Sequence, residues 1–135
     1  MRPASHSSRY EVDGLPLAQI LDEDTVARTG LIKIDVEGAE HIVLAYIAAL
    51  IPRLHPRCER LVELTPAGRS PGATIAALLA PFLHKGFRGF VIPNPYDPPD
   101  VVAFLAHPRR LAPLVEPITA QTDVLLTREA GRLTA

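Results

Sequence analysis

The stretch Gly30-Leu31-Ile32-Lys33-Ile34-Asp35-Val36-Glu37-Gly38-Ala39-Glu40 decides how this chain is read. Residues 31–36 are a short β-branched run between Gly30 and Gly38, the pattern of a strand within a parallel sheet. Beyond Gly38, the apolar residues Ala39, Ile42, Val43, Tyr46, Ile47 and Leu50 recur at helical spacing until Pro52 closes the segment. A strand thus passes through a glycine turn into a helix, and the carboxylates Asp35, Glu37 and Glu40 gather at that junction. In open α/β sheets this carboxyl edge is where ligands bind. Glu40 has a plainer explanation, because the free N–H groups of a new helix favour negative charge. Asp35 shares one side of the strand with Lys33, away from Ile34 and Val36. An ionised group there has to be paired or meet a ligand. Asp35 therefore reads equally as a site residue and as a structural hydrogen-bond acceptor.

Working outward, residues 58–64 (CERLVEL) form a second strand that stops at Thr65-Pro66-Ala67-Gly68. Residues 73–83 form a helix with Ile75, Leu78, Leu79 and Phe82 on one face, and Pro81 is expected to kink it or end it early. Residues 86–92 (GFRGFVI) are a third strand, 100–106 a short helix preceded by prolines, and 121–128 a last strand. Upstream, 10–12 reads as extended, Asp13-Gly14 as a turn, Leu17 to Leu21 as a helical turn, and 22–29 as a charged connector. Residues 1–9 are polar and expected to be disordered, leaving 10–135 as a single α/β domain. Alternation of strand and helix predicts a parallel sheet with right-handed crossovers.

Composition narrows the functional classes. With 135 residues, 47% of them hydrophobic and 21% charged, the chain can bury a core and is not a disordered tail. Its 14 basic and 15 acidic residues give a net charge of −1, which offers no general attraction to nucleic acid or to an anionic membrane. One cysteine, Cys58, excludes an internal disulfide framework and a cysteine-based zinc site. No apolar run approaches the roughly 18 residues of a membrane span. The first dozen residues lack the apolar centre of a signal peptide, so the expected location is cytoplasmic.

IKIDVEGAE, followed by a helix, Pro56 and a strand ending in Glu63, resembles the FkbM family of S-adenosylmethionine-dependent methyltransferases. That family shows a K-I-D-x-E-G-x-E signature and, one helix later, a proline and an apolar strand ending in Glu. The resemblance implies a Rossmann-like methyltransferase sheet, here incomplete, with its last four strands and their helices. Residues 31–36 would be the fourth strand, 58–64 the fifth, and the last two strands a closing antiparallel pair. It also implies methyl transfer from S-adenosylmethionine to a hydroxyl of a small molecule, natural product or sugar. Asp35 and Glu37 match the signature and would face cofactor methyl and acceptor, with Glu63 on the acceptor side. His41 lies four residues after Glu37 and could share its helix face as an oriented base; it reads otherwise as an exposed helix histidine.

The chain also departs from that family. Its glycines, at 14, 30, 38, 68, 72, 86, 89 and 131, nowhere form the D-x-G-x-N-x-G cofactor turn. The acidic strand end that would hold the ribose is missing too. Tyr46 stands where the family has a helix glycine, and Ala18 where it has an aspartate. Val91-Ile92-Pro93-Asn94-Pro95-Tyr96 is similar to the N-P-P-Y tetrad of adenine amino-methyltransferases but is one proline short. Turn formation explains that stretch equally well, and Asn94 and Tyr96 stand as outer substrate-binding candidates.

Other signals have ordinary explanations. Arg109-Arg110 reads as a solvated face, the histidines lack metal-ligand spacing, and the carboxylates near Gly38 point in different directions, so no metal is expected. If 31–36 is the fourth strand of such a sheet, one of its sides is an unpaired apolar edge. That edge predicts self-association, pairing with a missing N-terminal half, or marginal stability. The alternative to an enzyme is a non-catalytic α/β module that binds through this edge.

Overall fold

The Asp22 carboxylate accepts the Thr25 N–H at 2.6 Å and starts a helix where a connector was expected. This helix, α2 (Glu23–Arg28), follows a single turn, α1 (Leu17–Ile20). Its acidic first turn and its Arg28 in the last turn complement the helix dipole, and Val26 alone is buried. A segment with one apolar anchor shows no periodicity, which is why the pattern of residues 22–29 concealed it. The chain is described here by a computed structural model, which covers residues 14–36, 38–66, 74–94, 98–106, 110–115, 117–129 and 131. Residues 1–9 and 10–12, expected to be disordered and extended, lie outside the described residues.

Strand β1 (Leu31–Ile34) leads through Gly38, at φ +82°, into α3 (Glu40–Leu50). The Gly38 N–H is held by Glu40 Oε1 at 3.3 Å, and Ile42 and Val43 both donate to the Ala39 carbonyl. Glu40 is buried in that role, consistent with its helix-start reading. Leu44, Ile47 and Leu50 face the core, whereas Ile42 and Tyr46 remain about half exposed. Strand β2 (Glu59–Leu64) runs parallel to β1, with Ile34 beside Val62.

In α4 (Ile75–Leu83) the Thr74 hydroxyl caps Ala77 N–H at 3.1 Å. Pro81 lies inside this helix, which continues to Leu83 rather than ending early. Gly86, at φ +83°, makes the turn into β3 (Arg88–Ile92). Then follow α5 (Pro98–Ala106), the two-residue β4 (Ala112–Pro113) and β5 (Thr122–Thr127).

The sheet order is β1-β2-β5-β3-β4. Strand β5 inserts antiparallel between β2 and β3, so the sheet is mixed rather than wholly parallel as alternation alone implied. The β3–β5 pair is the antiparallel closure expected from the family resemblance. Ile34, Val62, Leu64, Val124 and Leu126 form one core with Leu44, Ile47, Leu79 and Phe82 from α3 and α4. Each such side chain contributes about 1.5–3 kcal/mol through burial. Phe82 and Phe87 meet edge to face with centroids 6.2 Å apart. Among the described residues, no helix is long and apolar enough to cross a membrane.

Candidate functional site

Strands β1, β2 and β3 point the same way, so their carboxyl ends share one edge with the beginning of the antiparallel β5. Asp35, Glu63 and Asn94 all sit at this edge, brought together from positions far apart in sequence. Asp35 lies just past β1 and its Oδ2 accepts from Lys33 Nζ at 2.6 Å, with both side chains exposed. That pair is the structural partner anticipated for Asp35, and the ammonium is raised above its ordinary value mainly by that hydrogen bond. Glu63 Oε1 accepts from Gln121 Nε2 at 2.6 Å. Asn94 donates its amide to Asp123 Oδ2, also at 2.6 Å.

The Glu63 carboxyl is pushed above its usual range, first by desolvation and then by the negative charges of Asp35 and Asp123. Gln121 and Lys33 act in the opposite direction. A carboxylate held in this way is a better proton acceptor than an isolated one. Asp123 is buried at the start of β5, opposite Glu63 on one side and Ile92 on the other. Neither Asp123 nor Gln121 was singled out from sequence. The signal was a polar pair at the mouth of an otherwise apolar strand, which becomes meaningful only once β5 is known to lie beside β2.

Two cavities flank the edge. A smaller one, of about 280 Å³, is lined by Ile92, Asn94, Gln121 and Asp123 among others. A larger one, of about 680 Å³, runs along β1 between α1 and α3, lined chiefly by apolar side chains such as Ile32, Ile34, Val36 and Tyr46. Lys33 and Asp35 also border it. His41 is exposed on α3 and lines neither cavity. Glu37 and Tyr96 lie outside the described residues. Among the described residues, no group of three His, Cys, Asp or Glu side chains could hold a metal ion.

The methyltransferase FkbM domain matches residues 2–88, well over half of the chain, and that span includes the strand, turn and helix around Asp35 and the strand carrying Glu63. The chain belongs to the FkbM methyltransferase family. No curated protein and no solved structure matches it. Methyltransferases of this family generally use S-adenosylmethionine. Of the described residues of this FkbM domain, the carboxylates at the sheet edge have the charge that would suit the sulfonium of that cofactor. The described residues do not form a cradle for its adenosine. The glycine turn at the end of β1 has its Gly38 N–H already taken by Glu40, and no D-x-G-x-N-x-G turn exists in the sequence.

Proposed function

We propose that this FkbM domain is the acceptor side of an S-adenosylmethionine-dependent O-methyltransferase that works in the cytoplasm on a hydroxyl of a small molecule, natural product or sugar. The observation that supports this reading is the carboxylate edge, with Asp35, Glu63 and Asp123 held by Lys33, Gln121 and Asn94. S-adenosylmethionine, when bound, supplies the methyl group. Adenosine binding is completed from outside the described residues.

Within this reading the chain orients the acceptor and removes its proton. Glu63, whose basicity is raised by its surroundings, accepts the hydroxyl proton, and Asp35 with Glu37 faces the methyl-bearing group. Asn94 and Tyr96 bound the acceptor. Because α3 begins at Glu40, the helix face that His41 would share with Glu37 is not formed, and the proton falls to Glu63 in this reading. Alignment of hydroxyl and methyl supplies most of the remaining acceleration.

The test is calorimetric titration of the purified chain with S-adenosylhomocysteine, followed by transfer of labelled methyl to a panel of sugars and hydroxylated small molecules. Saturable binding, and transfer that Asp35→Asn abolishes, is the expected result. A folded sample that neither binds nor transfers overturns it. The second reading, a non-catalytic α/β module, is favoured by the missing cofactor turn and by the apolar cavity along β1. Under that reading Asp35→Asn leaves ligand titrations as blank as the parent chain.

A further inference from the structure

The smaller cavity at the sheet edge, of about 280 Å³, has two unlike walls. Val91, Ile92 and Pro93 supply an apolar one, and Asn94, Gln121 and Asp123 a polar one. Small-molecule sites generally begin near about 300 Å³, so this space takes one ring-sized group and not a whole nucleoside cofactor.

Among the described residues, Asp123 is the one carboxylate on these walls. It is nine-tenths buried, and the donor that holds it, the Asn94 amide at 2.6 Å, is neutral. No ion pair among the described residues includes Asp123. The Lys33 ammonium feels its charge through space but is itself bonded to Asp35. A carboxylate taken out of water is costly until an opposite charge meets it. A second carboxylate stands beside it. Glu63 and Asp123 are partners across β2 and β5, so both side chains leave the same face of the sheet, with Cβ atoms about 4.5–5.5 Å apart. Like charges set directly opposite each other destabilise a strand pair. Here Glu63 is likewise held by a neutral amide, that of Gln121. The opposite charge is left for a ligand to bring.

We infer that the cavity takes a protonated amine, so that the acceptor is a vicinal amino alcohol, such as an amino sugar, with its ammonium on Asp123 and the neighbouring hydroxyl on Glu63. This inference rests on the proposed methyl transfer and names the class of its acceptor. An ammonium is a compact donor of three hydrogen bonds and suits a carboxylate that has a neutral partner already. One carbon–carbon bond separates amine from hydroxyl in such a molecule, which matches two carboxylates on directly opposed residues. Ile92 and Pro93 cover the C–H face of the ring. An anionic acceptor would meet like charge at both positions.

NMR titration of the full chain, without S-adenosylmethionine, tests this at the side-chain amides of Asn94 and Gln121. Glucosamine, at a pH where its amine is protonated, should shift them saturably. Glucose should bind about tenfold more weakly or worse, and glucuronate least. Bound glucosamine should also move the Glu63 titration downward, because its ammonium offsets the Asp123 charge that helps to raise it. Asp123→Asn keeps the shape and still accepts from Asn94 through Oδ1, and it should bring glucosamine down to the level of glucose. If that variant fails to fold, the order of the three sugars on the parent chain decides. Equal binding of glucosamine and glucose, no binding of glucosamine, or undiminished binding by Asp123→Asn would each overturn the inference. Transfer is read separately. Selective binding of glucosamine with no transfer of labelled methyl counts against the methyltransferase reading and leaves the amine site standing. Methylation of glucose as fast as glucosamine spares that reading and overturns the amine site.

Discussion

Gln121 donates to Glu63 at 2.6 Å across the β2–β5 seam, and it is the closest counterweight to the charges of Asp35 and Asp123 that raise this carboxyl. The rise that desolvation and these charges impose on Glu63 is thus tempered by a residue 58 positions further along the chain. Removing either side of this balance has a predictable sign.

Gln121→Ala should move the Glu63 titration upward, read by NMR of its side-chain carboxyl, and should carry the acid limb of any transfer profile to higher pH. Glu63→Gln should reduce transfer about 10²–10⁴-fold if Glu63 is the base. A carboxyl raised in the folded state binds its proton more tightly there, so ionising it opposes folding as pH rises through that value. Glu63→Gln should therefore melt higher than the parent near about pH 7, and the difference should vanish near about pH 3.

Asp22 behaves in the opposite direction. Its hydrogen bond from the Thr25 N–H lowers its pKa below the ordinary aspartate value. The stabilisation is complete above that ordinary value and is lost as pH falls through the lowered one. Asp22→Ala should be less stable than the parent at neutral pH and converge with it in acid. Thr74→Ala, which removes a neutral cap from α4, should cost about 0.5–2 kcal/mol with no such convergence. Thermal melts of both variants across pH check the contrast.

Arg60 is fully buried, stacked on Phe87 with its guanidinium carbon 4.5 Å from the ring centroid, and donates to the Cys58 carbonyl. Its Nε has no partner among the described residues, and Arg128 packs on the same ring from 4.4 Å. Desolvation, opposed only in part, lowers its hold on the proton. Arg60→Met keeps the volume and removes the buried charge, so denaturant unfolding should place it within about 1 kcal/mol of the parent or above it. Arg60→Ala, which leaves a cavity, should lose about 2–4 kcal/mol.

Two glycines should fail for different reasons. At Gly38 the backbone is left-handed but nothing lies near a built Cβ, so Gly38→Ala should cost about 1–2 kcal/mol through conformation alone. At Gly89 the added methyl meets Leu114 side-chain atoms at 3.0 and 3.1 Å, so Gly89→Ala should cost about 1–3 kcal/mol by crowding. Adding Leu114→Ala should restore part of the second loss and none of the first, as a double-mutant cycle by denaturant unfolding would show.

Much of this fold was legible because its strands and the helices α3 and α4 carry apolar periodicity. The junction from β1 to α3, the second strand ending at Glu63 and the helix over 75–83 all followed from spacing and from glycine and proline punctuation. The resemblance of IKIDVEGAE to the FkbM signature supplied the antiparallel closure that alternation alone missed. Helix α2 escaped because a capped, charged segment with only Val26 buried has no pattern to read. Strand β4 is two residues long and contains a proline, too short to leave a signal. At the site, Asp35 and Glu63 were visible as strand-end carboxylates. Asp123 and Gln121 were not, because their meaning lies in β5 being laid beside β2, a contact spanning some sixty residues. Ile42 and Tyr46 looked like core residues and instead border a cavity, since helical spacing does not say which neighbour a face receives.

The insertion of β5 between β2 and β3 also constrains the order in which the sheet can assemble. Synthesis delivers β2 and β3 first, yet they share no hydrogen bonds and stay separated until Thr122–Thr127 has left the ribosome. Until then both present open backbone to solvent, and a premature β2–β3 pairing would be parallel and trap the nascent chain. The strand that locks β2 to β3 is translated after both of them, so this part of the sheet cannot assemble piece by piece behind the growing end.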